Sequence, residues 1–260
     1  MRGTKPMVAM LHDMRTSLTN ATDDTRSPGR TWRSWLGRLL LLGGLAVLGP
    51  YLYGRVTSQW HAVQRRELPA ASAAEGAADA AGQAETATSL RLAAYNIAHG
   101  RGLAESNWTG ETDEVRRRRL AAIAELLAAQ RVDVAVLKEV DFDTSWSGRI
   151  DQADIIARQA GLPYVAVVRN ADVRLPGCRM RFGNAVLSRY PIRSAQVFDL
   201  PGYAGHETAL FGKKRGLLCE LEVAPDFRLQ VLAVHLEHRS EETRVAGARA
   251  ILELASRTTL

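Results

Sequence analysis

Residues 132–141 read Val-Asp-Val-Ala-Val-Leu-Lys-Glu-Val-Asp. The apolar run at the centre of this stretch predicts a strand buried inside a sheet. It ends at Glu139, and two other apolar runs end in the same way, one at Asn96 and one at His235. Polar side chains at strand ends can meet over one edge of a sheet, where active sites collect. We therefore expect these three residues to lie together.

Helical and strand patterns alternate on both sides of this stretch. Apolar residues spaced by three and four predict helices, and short apolar runs predict strands. Gly161 follows one helix and Ser240 precedes another, as expected of residues that end and cap helices. The predicted helices are 115–130, 151–160 and 240–256, and the predicted strands are 90–95, 134–137, 164–168, 217–223 and 229–235. The last two strands form a hairpin across a short turn, so the sequence predicts a mixed α/β (α+β) domain over residues 89–260, without a regular βαβ repeat.

An uncharged stretch from Leu39 to Gly54 precedes the domain. A membrane-spanning helix needs about 20 apolar residues, with a lower limit near 17, and Arg38 can extend this stretch by reaching back to the interface. Tyr51 and Tyr53 stand where an aromatic belt would lie, and four arginines precede the span. We expect a single-pass anchor in the inner membrane, with residues 1–38 in the cytoplasm and the domain outside. A cleaved signal peptide and a buried core helix are the alternatives.

Residues 55–88 are predicted to be a linker. Most of this segment is rich in alanine and other small residues, with no large apolar side chain after Leu68. Such a composition buries too little surface to offset the entropy lost on ordering.

Composition excludes several classes of function. The chain of 260 residues carries a net charge of +6, which is too weak and too evenly spread for a nucleic-acid binder that depends on charge alone. The two cysteines, Cys178 and Cys219, are too few for a disulfide scaffold and lack the spacing of a zinc site. They could form one bridge or remain two free thiols. No glycine-rich phosphate-binding loop is present.

Four stretches carry a resemblance to a known family. They are Ala94-Tyr-Asn-Ile-Ala-His-Gly100, residues 132–141, Phe182-Gly-Asn-Ala-Val-Leu-Ser-Arg-Tyr-Pro-Ile192 and Val231-Leu-Ala-Val-His-Leu-Glu-His238. In order and spacing they resemble the endonuclease/exonuclease/phosphatase superfamily of metal-dependent phosphoesterases, also called DNase I-like. The resemblance implies a four-layered α-β-β-α sandwich.

The resemblance also implies roles for individual residues. Glu139 matches the glutamate that binds the metal, Asn96 the active-site asparagine, and His235 the histidine that stabilises the phosphoryl transition state. Arg215 falls where relatives often place a basic residue near the substrate, although a solvated hairpin edge is an alternative. The implied cofactor is Mg²⁺, with Mn²⁺ or Ca²⁺ as alternatives, because hard cations prefer oxygen ligands. His99 and His238 match family-like surroundings without an assigned role.

The sequence departs from the family pattern in two places. Lys138 stands before Glu139, where relatives usually have Gln or Asn. The family's later Gly-Asp-Phe-Asn and Asp-His motifs do not occur before Leu260, so the second half of the fold is expected to be incomplete. The resulting prediction is a membrane-anchored, metal-dependent hydrolase of phosphate mono- or diesters. Alternatives are an inactive, membrane-tethered binding protein and a truncated product. The sequence leaves nucleic acid, phospholipid and small phosphoesters open as substrates.

Overall fold

The computed structural model describes residues 28–60, 62–69, 89–108, 111–202 and 205–257. Residues 1–27 of the predicted cytoplasmic segment and residues 70–88 of the predicted linker lie outside these ranges. The chain divides into two compact units, residues 1–46 and 47–260. In the described ranges the helices are α1 (Pro28–Trp60), α2 (Asp113–Ala129), α3 (Gln152–Ala160), α4 (Gly205–Phe211) and α5 (Glu241–Arg257). The strands are β1 (Val63–Glu67), β2 (Leu92–Asn96), β3 (Val134–Asp141), β4 (Tyr164–Leu175), β5 (Cys178–Ser188), β6 (Ile192–Asp199), β7 (Arg215–Ala224) and β8 (Phe227–Ala233).

Helix α1 is longer than the predicted span of residues 39–54. It has 33 residues, and its part from Trp32 to Thr57 is long and apolar enough to cross a membrane. At 1.5 Å per residue, α1 extends about 50 Å, whereas the hydrocarbon core of a bilayer is about 30 Å thick. No residue from Trp32 to Tyr53 is buried, unlike the residues of the core helix of a soluble domain.

Strand β1 corrects the start of the predicted linker. Val63–Glu67 lies inside the segment 55–88, yet it pairs antiparallel with β4, with Val63 opposite Val168 and Glu67 opposite Tyr164. The strand has only one apolar residue, so it carries no alternating pattern and is held by backbone pairing at the edge of the sheet. Charged side chains of this kind protect an edge strand from unwanted pairing.

Two sheets form the centre of the domain. The first has the order β1-β4-β5-β3-β2, with β2 and β3 parallel and the other neighbours antiparallel. The second has the order β6-β7-β8, and its β7–β8 pair is the hairpin that the sequence predicted. The parallel pair places the carboxyl ends of β2 and β3 side by side.

Two apolar clusters show how the layers pack. One fills the space between the first sheet and helices α2 and α3, with Leu120, Leu137 and Ile156 fully buried. The other lies between the two sheets and includes Val186 and Leu217. The prediction of a mixed α/β fold with two packed sheets is confirmed. In the described part of helix α5 only Gly247 is buried, so this outer helix covers little of the second sheet.

Local signals fix the helix ends. The side chain of Asp151 accepts a hydrogen bond from the Asp154 amide at the start of α3, and Gly161 ends that helix in the left-handed conformation, with φ of 70°. Ser240 Oγ accepts from the Thr243 amide 3.1 Å away at the start of α5. Both sequence predictions are thereby confirmed.

Strands β4 and β5 continue as a hairpin beyond the end of β3, whose last residue, Asp141, pairs with Phe182 opposite Ala171. Val168 pairs with Asn184, and the ladder then continues to Leu175 opposite Cys178. Pro176 and Gly177 form the turn, where Gly177 has φ of 74°. At about 3.3 Å per residue the hairpin extends about 13 Å past Ala171.

Candidate active site

The structure brings Asn96, Glu139 and His235 together. Asn96 ends β2, beside Lys138 of the parallel neighbour β3, and Glu139 is the next residue of β3. His235 follows β8 of the second sheet. The site therefore lies where one end of the first sheet meets the chain that leaves the second.

Glu139 is held in an unusual backbone conformation. Its φ is 55°, in the left-handed region, and the register of β3 against β5 shifts between Lys138 and Val140. Such bulges redirect a side chain out of the sheet. Asn96 Nδ2 donates to Glu139 Oε1 over 2.9 Å, and Asn96 Oδ1 accepts from the Ala98 amide over 2.9 Å. The asparagine thus fixes both the carboxylate and the loop that follows β2.

His235 lies on the other side of the same carboxylate. Its Nε2 is 3.8 Å from Glu139 Oε1. Burial lowers the pKa of His235 below its usual value; Glu139 opposes this shift, and the charges of Lys214 and Lys138 reinforce it. At neutral pH the ring is therefore the uncharged imidazole, which has one N–H donor and one acceptor.

A second imidazole, His99, approaches Glu139 from the interior. His99 Nε2 is 3.7 Å from Glu139 Oε2, while Nδ1 is 2.7 Å from Asp141 Oδ1. Because a carboxylate only accepts, Nδ1 carries the proton. Asp141 is fully buried, and its Oδ2 accepts from Trp146 Nε1 over 2.8 Å. The ring of His99 also packs edge-on against Trp146 and Phe182.

The backbone of His99 is held by two buried side chains. Arg116 Nη1 and Gln152 Nε2 both donate to the His99 carbonyl, over 3.0 and 2.8 Å. Arg116 Nη2 also donates to the Trp146 carbonyl over 2.9 Å. Gln152 Oε1 in turn accepts from the Asp141 amide over 3.0 Å. Helices α2 and α3 thus clamp the loop after β2, and with it His99, in one position.

Basic residues approach the site from the second sheet. Lys214 is buried, and its Nζ lies 3.4 Å from Glu237 Oε2. Burial lowers the pKa of Lys214, whereas Glu237 and, more weakly, Glu139 raise it. The hydrogen bond that the Arg239 backbone amide donates, together with Lys214, lowers the pKa of Glu237 to about 2, and the His238 amide donates to the same carboxylate oxygen. This ion pair orders the loop just after His235.

Arg215 has a different environment from the other three predicted site residues. Its guanidinium is buried, with Nη1 donating to the Arg169 carbonyl over 3.1 Å and Nε lying 3.5 Å from Asp199 Oδ1. These contacts join β7 to β4 and β6, and they support the strands beside the site. Its role in binding substrate stays a prediction.

Two buried amides lie next to these strands. Asn184, opposite Lys138 in the sheet, donates through Nδ2 to the Arg215 carbonyl over 3.3 Å. The Oδ1 atoms of Asn184 and Asn170 are buried without a protein hydrogen-bond partner. Buried acceptors of this kind usually bind an ordered water.

The donor set around Glu139 fits one kind of metal ion. In the ranges that the structure covers, no group of three or more His, Cys, Asp or Glu side chains is arranged to hold a metal ion. This does not fit a structural zinc site, which needs four protein ligands. It does fit Mg²⁺, which is commonly bound by one or two carboxylates and keeps several waters. Glu139, about one quarter exposed, would be the ligand from this chain.

Sequence reasoning named His99 without a role and missed Asp141 and Asn184. Each could have been noticed in the sequence, because each is a polar residue inside or shortly after an apolar run that forms a strand.

The two cysteines are both free, with Cys219 buried and Cys178 partly exposed.

The chain is similar to several proteins of known structure. In solved structures the chain is similar to an endonuclease/exonuclease/phosphatase from Beutenbergia cavernae, at 23% identity over 63% of this chain and 43% of that chain, with a TM-score of 0.47. It is also similar to mannosyl-6-phosphatase Bt3783 from Bacteroides thetaiotaomicron, at 13% identity over 65% of this chain and 60% of that one, with a TM-score of 0.44. Sphingomyelinase C from Streptomyces griseocarneus is 17% identical over 66% of this chain and 60% of that one, with a TM-score of 0.44.

The chain spans 43% to 60% of the length of these structures. No curated protein sequence matches it. The sequence profile of the Endonuclease/Exonuclease/phosphatase family matches residues 93–257, which include Asn96, Glu139 and His235. This chain belongs to the endonuclease/exonuclease/phosphatase family.

Proposed function

We propose that this protein hydrolyses a phosphate mono- or diester with the help of a divalent metal ion, preferably Mg²⁺, bound through Glu139. The observation that supports this most directly is the environment of the Glu139 carboxylate. It is part exposed, fixed by the Asn96 amide at 2.9 Å, and flanked by imidazole nitrogens at 3.7 and 3.8 Å. An anchored carboxylate beside a neutral imidazole is a suitable start for phosphoester hydrolysis.

Each residue has a task in this proposal. Glu139 would hold the metal ion, which neutralises negative charge on the phosphoryl oxygens when it is bound. Asn96 keeps the carboxylate in one orientation, because its amide is itself tied to the Ala98 backbone. The uncharged ring of His235 donates a hydrogen bond to the charge that develops on phosphorus-bound oxygens. The charges of Lys138 and Lys214 reach His235 and make its surroundings attractive to a phosphate.

We also propose that α1 anchors the protein in the inner membrane, with the domain on the extracytoplasmic side. The support is the length of the apolar segment Trp32–Thr57 and the arginines that precede it in the sequence. Positive charge is enriched on the cytoplasmic side of membrane helices.

Hydrolysis of bis-p-nitrophenyl phosphate and p-nitrophenyl phosphate by the full-length protein with Mg²⁺ tests the catalytic proposal. We expect Glu139→Gln and His235→Gln each to lower kcat/KM about 100-fold or more, since each would remove a group that acts in the transition state. His238→Gln is the matched control, because His238 is 75% exposed and should retain activity. Unchanged activity of Glu139→Gln would overturn the assignment. Failure of the wild type to hydrolyse either ester would favour a binding role.

A further inference from the structure

The imidazole of His99 is fixed in one orientation. Nδ1 donates to Asp141 Oδ1 over 2.7 Å, and the ring meets Trp146 and Phe182 edge-on, at interplanar angles of 87° and 90°. The backbone of His99 has φ of 57°, a strained conformation for a residue other than glycine. Only 11% of the side chain is exposed. These contacts hold the remaining ring nitrogen, Nε2, in a single position.

Nε2 of His99 faces another hydrogen-bond acceptor. It lies 3.7 Å from Glu139 Oε2. Because the proton of the neutral ring is on Nδ1, in the hydrogen bond to Asp141, Nε2 has a lone pair and no proton. A carboxylate oxygen is likewise an acceptor. Two acceptors at this distance repel each other, so the arrangement favours a cation that contacts both atoms.

The two oxygens of the Glu139 carboxylate have different surroundings. Oε1 accepts from Asn96 Nδ2 over 2.9 Å and lies 3.8 Å from His235 Nε2. Within the described ranges, Oε2 has no hydrogen bond from a protein donor, and its close contact is His99 Nε2. Asn96 thus occupies one oxygen and leaves the other, beside His99, to a metal ion.

The distance between Glu139 Oε2 and His99 Nε2 suits one shared ion. Bonds from protein nitrogen and oxygen atoms to small divalent ions are about 2.0–2.2 Å long, so two atoms bound to one ion lie at most about 4.4 Å apart. The observed 3.7 Å is within this limit. Histidines that bind metals commonly donate their other N–H to a carboxylate, which fixes the tautomer and makes the ligating nitrogen more basic. Asp141 receives this hydrogen bond here.

We propose that His99 Nε2 is a second protein ligand of the metal ion held by Glu139, with Asp141 as its positioning residue. This rests on the proposed function of the same site and adds a nitrogen ligand to it. Mg²⁺ prefers oxygen ligands and keeps its waters, so it gains little from an imidazole. First-row transition ions accept nitrogen as well as oxygen ligands. The pair therefore binds Mn²⁺ more tightly than Mg²⁺.

Electron spin-echo spectroscopy of bound Mn²⁺ tests this ligand without relying on activity. Mn²⁺ is added in less than equimolar amount to the full-length protein in detergent micelles, and the echo modulation reports nitrogen nuclei bound to the ion. We expect nitrogen coupling in the wild type. Protein grown with histidine that carries the heavier nitrogen isotope should show the coupling of that isotope, which identifies the ligand as an imidazole.

His99→Gln should abolish the nitrogen coupling and weaken Mn²⁺ binding about 10–100-fold, measured by titration of the signal of the free ion. Mg²⁺ binding, measured by calorimetry, should change much less, because Mg²⁺ uses the carboxylate and water. His238→Gln is the matched control: it makes the same change at an imidazole that is 75% exposed, and it should retain the coupling and both affinities.

His235→Gln separates the two imidazoles beside Glu139. We expect the coupling to persist in this variant. The described part of the chain places two imidazoles within 4.0 Å of Glu139, those of His99 and His235, so a persistent coupling assigns the ligand to His99 even if His99→Gln does not fold. Loss of the coupling in His235→Gln would overturn the proposal. So would a wild type that binds no Mn²⁺, or that binds it without nitrogen coupling.

The two proposals fail separately. Nitrogen coupling from His99 without hydrolysis of either p-nitrophenyl ester would refute the proposed function and support the ligand. Metal-dependent hydrolysis that Glu139→Gln abolishes, without nitrogen coupling to bound Mn²⁺, would refute the ligand and support the proposed function.

Discussion

Replacing Asp141 with Asn should destabilise the domain although it changes the size of the side chain very little. Asp141 is fully buried and accepts from two donors, His99 Nδ1 at 2.7 Å and Trp146 Nε1 at 2.8 Å. An asparagine offers one oxygen and one NH₂ group, so one of the two donors would face another donor unless the proton of His99 moved from Nδ1 to Nε2, and in either case the buried charge is lost. A buried donor left unpaired costs about 1–3 kcal/mol, and breaking a buried charged network costs about 3–5 kcal/mol. We expect Asp141→Asn to lower the free energy of unfolding by about 3 kcal/mol.

Urea unfolding of the full-length protein in detergent micelles, followed by tryptophan fluorescence, measures this loss. Trp146 reports directly on the affected network, because its indole is one of the two donors. Asp226→Asn is the matched control: it makes the same chemical change at an exposed position in the β7–β8 turn and should stay within about 0.5 kcal/mol of the wild type.

Two results would contradict the argument. If Asp141→Asn lost less than about 1 kcal/mol, the network would not carry the buried polar energy assigned to it. If Asp226→Asn lost as much as Asp141→Asn, the effect would come from the general change in charge and not from the buried contacts.

Three further predictions follow from single residues. The pKa of Glu237 is lowered to about 2, so its carboxylate adds roughly 3 kcal/mol to the free energy of unfolding above pH 4.5. This contribution is lost as the pH falls toward 2. Glu237→Gln should remove this acid dependence from the free energy of unfolding. Gly183→Ala should abolish or severely weaken folding, because its Cβ would collide with a backbone oxygen of β4, whereas Gly205→Ala, with open space around it, should melt like the wild type. Burial raises the pKa of Cys219 to about 12, so a thiol reagent at neutral pH should modify one cysteine, Cys178, and reach Cys219 only after denaturation.

The sequence predicted those parts of the site whose residues follow a recognisable pattern along the chain. Asn96, Glu139 and His235 each end an apolar run, and the parallel pairing of β2 with β3 brings the first two together. Helix ends at Gly161 and Ser240 followed from capping chemistry, which depends on neighbours in the sequence.

The missed parts depend on contacts between distant residues. The packing of His99 against Asp141 joins positions 42 residues apart, so no local pattern connects the two residues. Strand β4 was predicted to end at residue 168, and β5 was not predicted. The extension of β4 buries two charged side chains, Arg169 and Asp172, which interrupt the apolar pattern and are paired with each other at 3.2 Å. Strand β1 has one apolar residue and owes its conformation to β4.

Among the described residues, six non-glycine residues have positive φ, and three of them belong to the candidate site. Ala98, His99 and Glu139 have φ of 48°, 57° and 55°, a left-handed region that costs non-glycine residues on the order of 1–3 kcal/mol each. All three belong to the candidate site, and strain persists only where the surroundings determine it. Here Arg116 and Gln152 hold the His99 carbonyl, and Asn96 holds both the Ala98 amide and the Glu139 carboxylate. Without these hydrogen bonds, the bulge at Glu139 would relax and this residue would adopt the ordinary strand conformation. These hydrogen bonds therefore serve to present one carboxylate between two imidazoles.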